Sequence, residues 1–487
     1  MTRVLVSAVP RAILVASSFL LIATPSFSQG RGGPEWSTAG GDAHRTSWIK
    51  TDPKISAGAL QKPGFQFMWK LKLQNNPLLK PVLLERYIGY RGFRTYAFIS
   101  DTANNVLTFD SDLARIEWQK KLPGPPASGS ATCPGGMTAS PAQRVASAFA
   151  TAPAGRGGGG GRGGPAKSGV GMPGEGAVTI PAVVAAPAAV APAPAAFPGG
   201  GRGRTPSFLT TLSSDGALHD MYVSNGDEPG VPTKFLGPQA NATELTVVDN
   251  VAYAVTSGNC GDVPDGIWAL DLASKNIATW KARSAGTAFG PDSTVYTATS
   301  AGELAALTAK TLSQKAIYTA GEPFTTWPVV FEQNGKTLVA AATRSGSIHV
   351  VDGASLSKVA ASPAGDAGSP VLAMWQDSAG TPWLLHGKTA WKLNNGEFQS
   401  GWSAANLGSP ASVAVVNGVV FLAVAGNAST HATLYALDAA SGKQLWSSGN
   451  TITSYIAPGG GLAAGGSAIY LGTHDGTFWA FGFPIEH

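Results

Sequence analysis

Cysteine is almost missing from this chain: 487 residues contain two, Cys133 and Cys260. No Cys-x-x-Cys-His run is present, which excludes a covalently attached haem. Charge is scarce as well, at 13% of residues. No His-Glu-x-x-His or Cys-x-x-Cys spacing marks a transition-metal site, so the expected metal content is none, and no Gly-x-Ser-x-Gly elbow marks a hydrolase. The apolar run near the N-terminus, Ala12 to Ala23, is short of the roughly 20 residues that span a bilayer. What the chain has in excess is Gly (62) and Pro (34), a composition of many turns and short strands.

The run from Ala12 follows Arg3 and Arg11 and leads into TPSFSQG, with Ser26 and Ser28 three and one places before a cut. Residues 1–28 read as a secretory signal, with an uncleaved anchor as the alternative. Export to the periplasm or medium is the expected localisation, with no Cys after the cut to accept lipid and no transmembrane segment in the mature chain. The formal net charge of +5 resides in Arg3, Arg11 and the stretch 144–205. The remainder is slightly acidic, which argues against a nucleic-acid partner.

Residues 144–205 include AGRGGGGGRGGPAKSG and VVAAPAAVAPAPAAFPGGGRGR. Such Gly-, Ala- and Pro-rich chain has too little side chain to bury, and it reads as a disordered insertion. An RNA-binding Arg-Gly tail is the alternative, disfavoured in an exported protein.

Elsewhere one motif returns. LYALDAASGKQLW (434–446) reads as two strands around a tight turn, and weaker copies are GIWALDLASKNIATW, GELAALTAKTL, GSIHVVDGASL, KTAWKLNNGEFQSGW and GTFWAFGF. Aligned positions Asp271, Thr308, Asp352, Asn394, Asp438 and Gly482 are separated by 37, 44, 42, 44 and 44 residues. A strand-built repeat of that period indicates propeller blades. With strand pairs upstream of each copy, the sequence predicts an all-β, eight-bladed β-propeller of four-stranded antiparallel blades. The windows are about 77–121, 137–236, 243–283, 286–319, 326–360, 369–405, 410–448 and 456–483. The last lacks a fourth strand, and FQFMWKLKL (65–73) is expected to supply it and close the ring. The domain reading is therefore a leading segment over 29–64, a propeller over 65–487, and the 144–205 insertion within the second blade. Trp69, Trp118, Trp280, Trp402 and Trp446 fall at a common place on fourth strands and are expected to be structural wedges between blades.

These repeats, with EWSTAGGDAHRTSW at 35–48, resemble the quinoprotein-type propellers: those of pyrroloquinoline quinone (PQQ) dependent alcohol dehydrogenases and of the propeller lipoprotein subunit of the outer-membrane assembly machinery. The resemblance implies a fold more than an activity. The dehydrogenases hold PQQ and calcium on the axis, beneath a disulfide of adjacent cysteines and beside Glu, Asn and Asp ligands. This chain has no adjacent Cys pair and no recognisable calcium-ligand segment, so no catalytic residue carries over, and the lipid-bearing Cys of the assembly subunit is missing too.

In a propeller, the loop between blades and the loop between second and third strands share one face. Cys133 and Cys260 fall in such loops of adjacent blades, and in an oxidising compartment they are expected to form a structural disulfide. The same face should carry Trp327, Arg344, His386, Lys388, His474 and Asp475, with Asp262 and Asp265, as candidate ligand-binding residues near the central mouth. The bland alternative is that these are ordinary turn residues. The expected function is an exported, monomeric binding or scaffold module for an extracytoplasmic protein or a small anionic ligand, with no cofactor assigned. The alternative is a divergent dehydrogenase with PQQ and calcium on the axis.

Overall fold

The computed structural model describes residues 36–89, 92–149 and 207–484. The signal reading at 1–28 and most of the Gly/Ala/Pro-rich stretch lie outside the described residues. At its start, Arg144 and Val145 belong to a strand, Ala142–Val145.

The recurring Asp explains the recurring turn. In Asp438 one carboxylate oxygen accepts the backbone N–H of Ala440 at 3.1 Å and of Ser441 at 2.8 Å. Asp271, Asp352 and Asp110 do the same at their own turns. An Asx turn of this kind replaces backbone partners that a tight reversal leaves open. Preceding hairpins use another device: Asn417 (φ 43°) and Gly418 (φ 80°) are both left-handed, the pairing that matches strand twist. Each motif thereby folds locally into strands two, three and four of a sheet.

Eight four-stranded antiparallel units can be traced among the described residues, two of them joined into one sheet by parallel pairing of Ala142–Val145 with Ala242–Val248 and one extended by Trp48–Ile49, parallel to Pro410–Val416. Six have the plain order of one repeat: Val82–Gly89 to Arg115–Lys121, Ala242–Val248 to Ile277–Trp280, Ser284–Phe289 to Gln314–Thr319, Val329–Gln333 to Lys358–Ala361, Leu372–Gln376 to Glu397–Ser403, and Pro410–Val416 to Gln444–Ser447. The second unit joins Ala142–Val145 to Phe208–Leu212, Ala217–Tyr222 and Thr233–Lys234, so the insertion separates its first two strands. The eighth has three late strands, Leu462–Gly465, Ala468–Gly472 and Thr477–Gly482, and Gln66–Lys72 as its fourth, paired antiparallel with Thr477–Gly482.

Innermost strands are buried nearly throughout and neighbour one another around the ring, with Leu462–Gly465 packed against both Pro410–Val416 and Val82–Gly89. The first and second units are joined by the Gln143 side chain, which donates to Leu83 O at 2.6 Å. This is the β-propeller architecture, which leaves only short outer edges, and the pairing of Gln66–Lys72 covers the edge that Thr477–Gly482 would otherwise expose.

The outer tryptophans lie between units. The Trp118 indole donates to Val223 O at 3.0 Å, Trp402 to Ala439 O at 2.9 Å and Trp69 to Ser111 O at 3.2 Å, in each case on the following unit. Trp446 packs on Phe481 with centroids 5.6 Å apart, and Trp280 packs against the Phe289 and Val295 cluster.

Candidate functional site

The leading segment, Trp36 to Ile49, does not lie on the rim. It winds around the axis and is buried along almost its whole length. Its carbonyls accept from inner strands in order: Trp36 from Leu83, Ser37 from Gln143, Ala43 from Phe289, His44 from Val330, Thr46 from Met374, Ser47 from Val415 and Ile49 from Asn417. Six different units are thereby tied to one peptide. Small residues make this possible: Gly40 sits at φ 83°, and a Cβ there would approach Trp327 to 3.1 Å and the Arg45 side chain to 3.2 Å.

At the centre of this plug Arg45 is fully buried. All five of its N–H donors are used: Nε to Thr287 O at 3.0 Å, one terminal nitrogen to Thr38 Oγ1 and Ala39 O, the other to Glu244 and Thr246 Oγ1. Glu244, on an inner strand, also accepts from the Thr287 backbone N–H at 3.0 Å and from its hydroxyl. Gly286 permits that approach, since a Cβ there would stand 2.8 Å from both Glu244 and Trp327.

Beside the plug is a recess of about 190 Å³ lined from most of the ring, with Trp36, Lys80, Glu244, Trp327, Val371 and Ser412 among its walls. The lining residues sit at or near the heads of inner strands, on the face that carries the inter-unit loops. Lys80 Nζ stands 4.5 Å from the Trp327 ring centroid, and Arg45 Cζ 5.6 Å from the same ring. Burial first, and then the Arg45 charge, lower the Lys80 ammonium pKa to about 8 against the opposing influence of Glu244. The side chain keeps some accessible surface and lines the recess.

Of the eight sequence-nominated ligand residues, the structure brings only Trp327 to this recess. Arg344 is exposed. Lys388 Nζ caps the carbonyls of Leu407 at 2.9 Å and Ala405 at 3.4 Å. His386 is buried with Nε2 3.1 Å from Ser369 O, and burial lowers its pKa, so its neutral ring offers an anion no charge. His474 stacks on Tyr455 at 4.4 Å. Asp475 accepts from the hydroxyls of Thr473 at 2.6 Å and Thr477 at 2.8 Å and pairs with Lys72. Burial would raise its pKa, but these partners hold it below the usual range. Asp265 accepts from Asn259 N at 2.8 Å, and Asp262 is an exposed turn residue at φ 58°. Cys133 and Cys260 form a disulfide, Cα atoms 5.5 Å apart, that fastens the segment before the second unit to a loop of the third.

One other cluster has catalytic form. Ser213 Oγ is 2.9 Å from His219 Nε2, and His219 Nδ1 is 3.1 Å from Glu228. The eighth unit shows what it is: Thr473, Asp475 and Trp479 occupy the corresponding places, with the Trp479 indole donating to the Thr473 hydroxyl at 3.2 Å. Ser213 donates to Asp215 in the same pattern and is buried, so the cluster closes a turn.

No protein-family model and no curated protein matches the sequence. Solved structures do match in fold. The quinohemoprotein alcohol dehydrogenase from Comamonas testosteroni is similar at a TM-score of 0.58 and 12% identity, over 93% of this chain and 81% of that one. A europium-containing methanol dehydrogenase gives 0.56 and 11%, over 93% and 99%. BamB from Moraxella catarrhalis gives 0.50 and 12%, over 87% and 99%. The chain has the β-propeller fold of these proteins. At these identities the likeness is one of fold, shared by named dehydrogenases and by BamB alike.

The axis does not reproduce the donor set of a calcium-held quinone. Glu244 is the one carboxylate among the described residues that line the recess, and its oxygens are committed to Arg45 and Thr287. No group of three His, Cys, Asp or Glu side chains suited to a metal occurs among the described residues. The two cysteines, bonded across 127 positions, leave none for a clamp of adjacent sulfurs. The residues present therefore do not fit the PQQ–calcium pair.

Proposed function

We propose that this chain is an exported, quinoprotein-like binding propeller that holds a small anionic ligand, or presents its loop-rich face to an extracytoplasmic protein, without performing redox catalysis. The observation that carries the reading is the axis itself: a buried peptide plug, a modest recess, a lysine on its wall and, among the described residues, no uncommitted carboxylate for a metal. BamB, similar in fold, supports a non-dehydrogenase role for such an architecture. The signal-like sequence at 1–28 supports export, and no helix among the described residues is long and apolar enough to cross a membrane.

A dehydrogenase is the second reading, favoured by the alcohol and methanol dehydrogenases among the structural relatives and by the tryptophans at the recess. The test is titration of the full chain with PQQ and calcium, followed by absorbance and by dye-linked oxidation of alcohols and sugars. The binding reading predicts no turnover above the cofactor blank. Stoichiometric PQQ uptake with alcohol- or sugar-dependent dye reduction would overturn it.

A further inference from the structure

The charges around the recess do not balance. Arg45 and Glu244 neutralise one another, and Arg45 has no donor left. Lys80 is a second cation beside them, half-buried, and among the described residues its ammonium meets the face of Trp327 and no hydrogen-bond acceptor. An ammonium in a partly enclosed recess with no protein acceptor is poorly solvated, and an arriving anion would supply the missing partner. Apolar side chains, among them Trp36, Trp327, Val371 and Leu462, share the rest of the lining with hydroxyl residues such as Ser47 and Ser412, and the apolar part offers a surface to the body of a ligand.

We propose that the axial recess binds a monocarboxylate with a compact apolar body, its carboxylate accepting hydrogen bonds from Lys80 Nζ and its body packed against the Trp36 and Trp327 walls. The proposal rests on the binding reading above and names its ligand class. A charge-assisted bond in a low-dielectric site supplies the affinity, and the apolar walls supply selectivity for an organic acid over an inorganic anion. Arg45 and Glu244 are the other charged groups near Lys80, and their mutual pairing leaves Lys80 as the group whose protonation the ligand requires.

Calorimetric titration of the full-length protein with benzoate tests this, with benzamide as the neutral isostere and sulfate as the bare anion. At pH 7 benzoate is expected to bind at least about tenfold tighter than either. Benzoate stays ionised throughout the neutral and alkaline range, whereas Lys80 loses its proton near pH 8. Affinity should therefore fall about tenfold or more between pH 7 and roughly pH 9.5, as the competent fraction shrinks. Lys80→Met should erase the preference for benzoate over benzamide while the thermal melt holds or rises, because a cation without a protein acceptor has been removed.

No saturation by benzoate to roughly 10 mM, equal binding of benzamide or sulfate, or a flat pH profile of the wild-type protein would overturn the proposal. The pH series needs no variant, so it decides the matter even where Lys80→Met fails to fold. PQQ-dependent turnover would sink the non-catalytic reading on its own assay, whereas failure of benzoate binding sinks only the ligand class.

Discussion

A chain lacking residues 1–74 is expected to lose its cooperative melt and to aggregate at concentrations where the full chain remains dispersed. The deletion removes two things at once. Without Gln66–Lys72, the strand Thr477–Gly482 becomes an edge, and its sequence TFWAFG is apolar and wholly buried in the intact fold. Flat, hydrophobic, unpaired strands template further pairing. Without Trp36 to Ile49, backbone donors of Leu83, Phe289, Val330, Met374 and Val415 lose their acceptors in a place water enters poorly, at a cost of about 1–3 kcal/mol each. Size-exclusion chromatography and a thermal melt of the truncated chain check this, and a sharp melt at the full-length temperature would show that the ring is sealed some other way.

Arg45→Met carries the second largest effect. It leaves the Glu244 carboxylate buried and without its strongest partner, a loss of about 3 kcal/mol, toward the lower end for a broken buried pair because Lys80 remains nearby. The double variant Arg45→Met with Glu244→Gln should recover a substantial part of that loss, since neither charge then remains to be stranded. A double-mutant cycle from denaturant melts measures the coupling. Strict additivity of the two single changes would mean that Arg45 and Glu244 do not interact in solution.

How much of the molecule is legible in its sequence depends on the range over which each signal acts. The blades are readable because their determinants are local: an Asp that closes a turn two and three residues later, an Asn-Gly reversal, a Trp at fixed distance from that Asp. The fold class follows from their spacing. Alternation, the missing fourth strand of the last window and the place of Trp69 together mark Gln66–Lys72 as an outer strand. The plug is not readable, because WSTAGGDAHRTSW has no periodicity and its partners are single backbone groups on six units between Leu83 and Asn417.

The recess is hidden for a related reason. Rim loops draw attention to Arg344, Lys388 and His474 because charged turn residues stand out in a sequence, yet turn geometry explains most of what those residues do. Lys80, in NNPLLKPV, stands in no motif. A usable signal does exist in the repeat frame: residues at the heads of the inner strands face the axis, and aligning that column places Lys80, Glu244, Trp327 and Ser412 around one point. Arg45 is out of reach of that column, since only the winding of the leading segment brings it there.

The claim on which the rest depends is that residues 36–49 form a structural element of the axis. Hydrogen–deuterium exchange of the intact chain, read at peptide resolution, tests it most directly. The account predicts that amides of Ser37, Gly41, Arg45 and Ser47, each hydrogen-bonded within the buried plug, exchange as slowly as those of the inner strands, through global opening alone. Exchange of this segment within seconds, while the inner strands stay protected, would contradict the plug and with it the recess that the plug helps to wall.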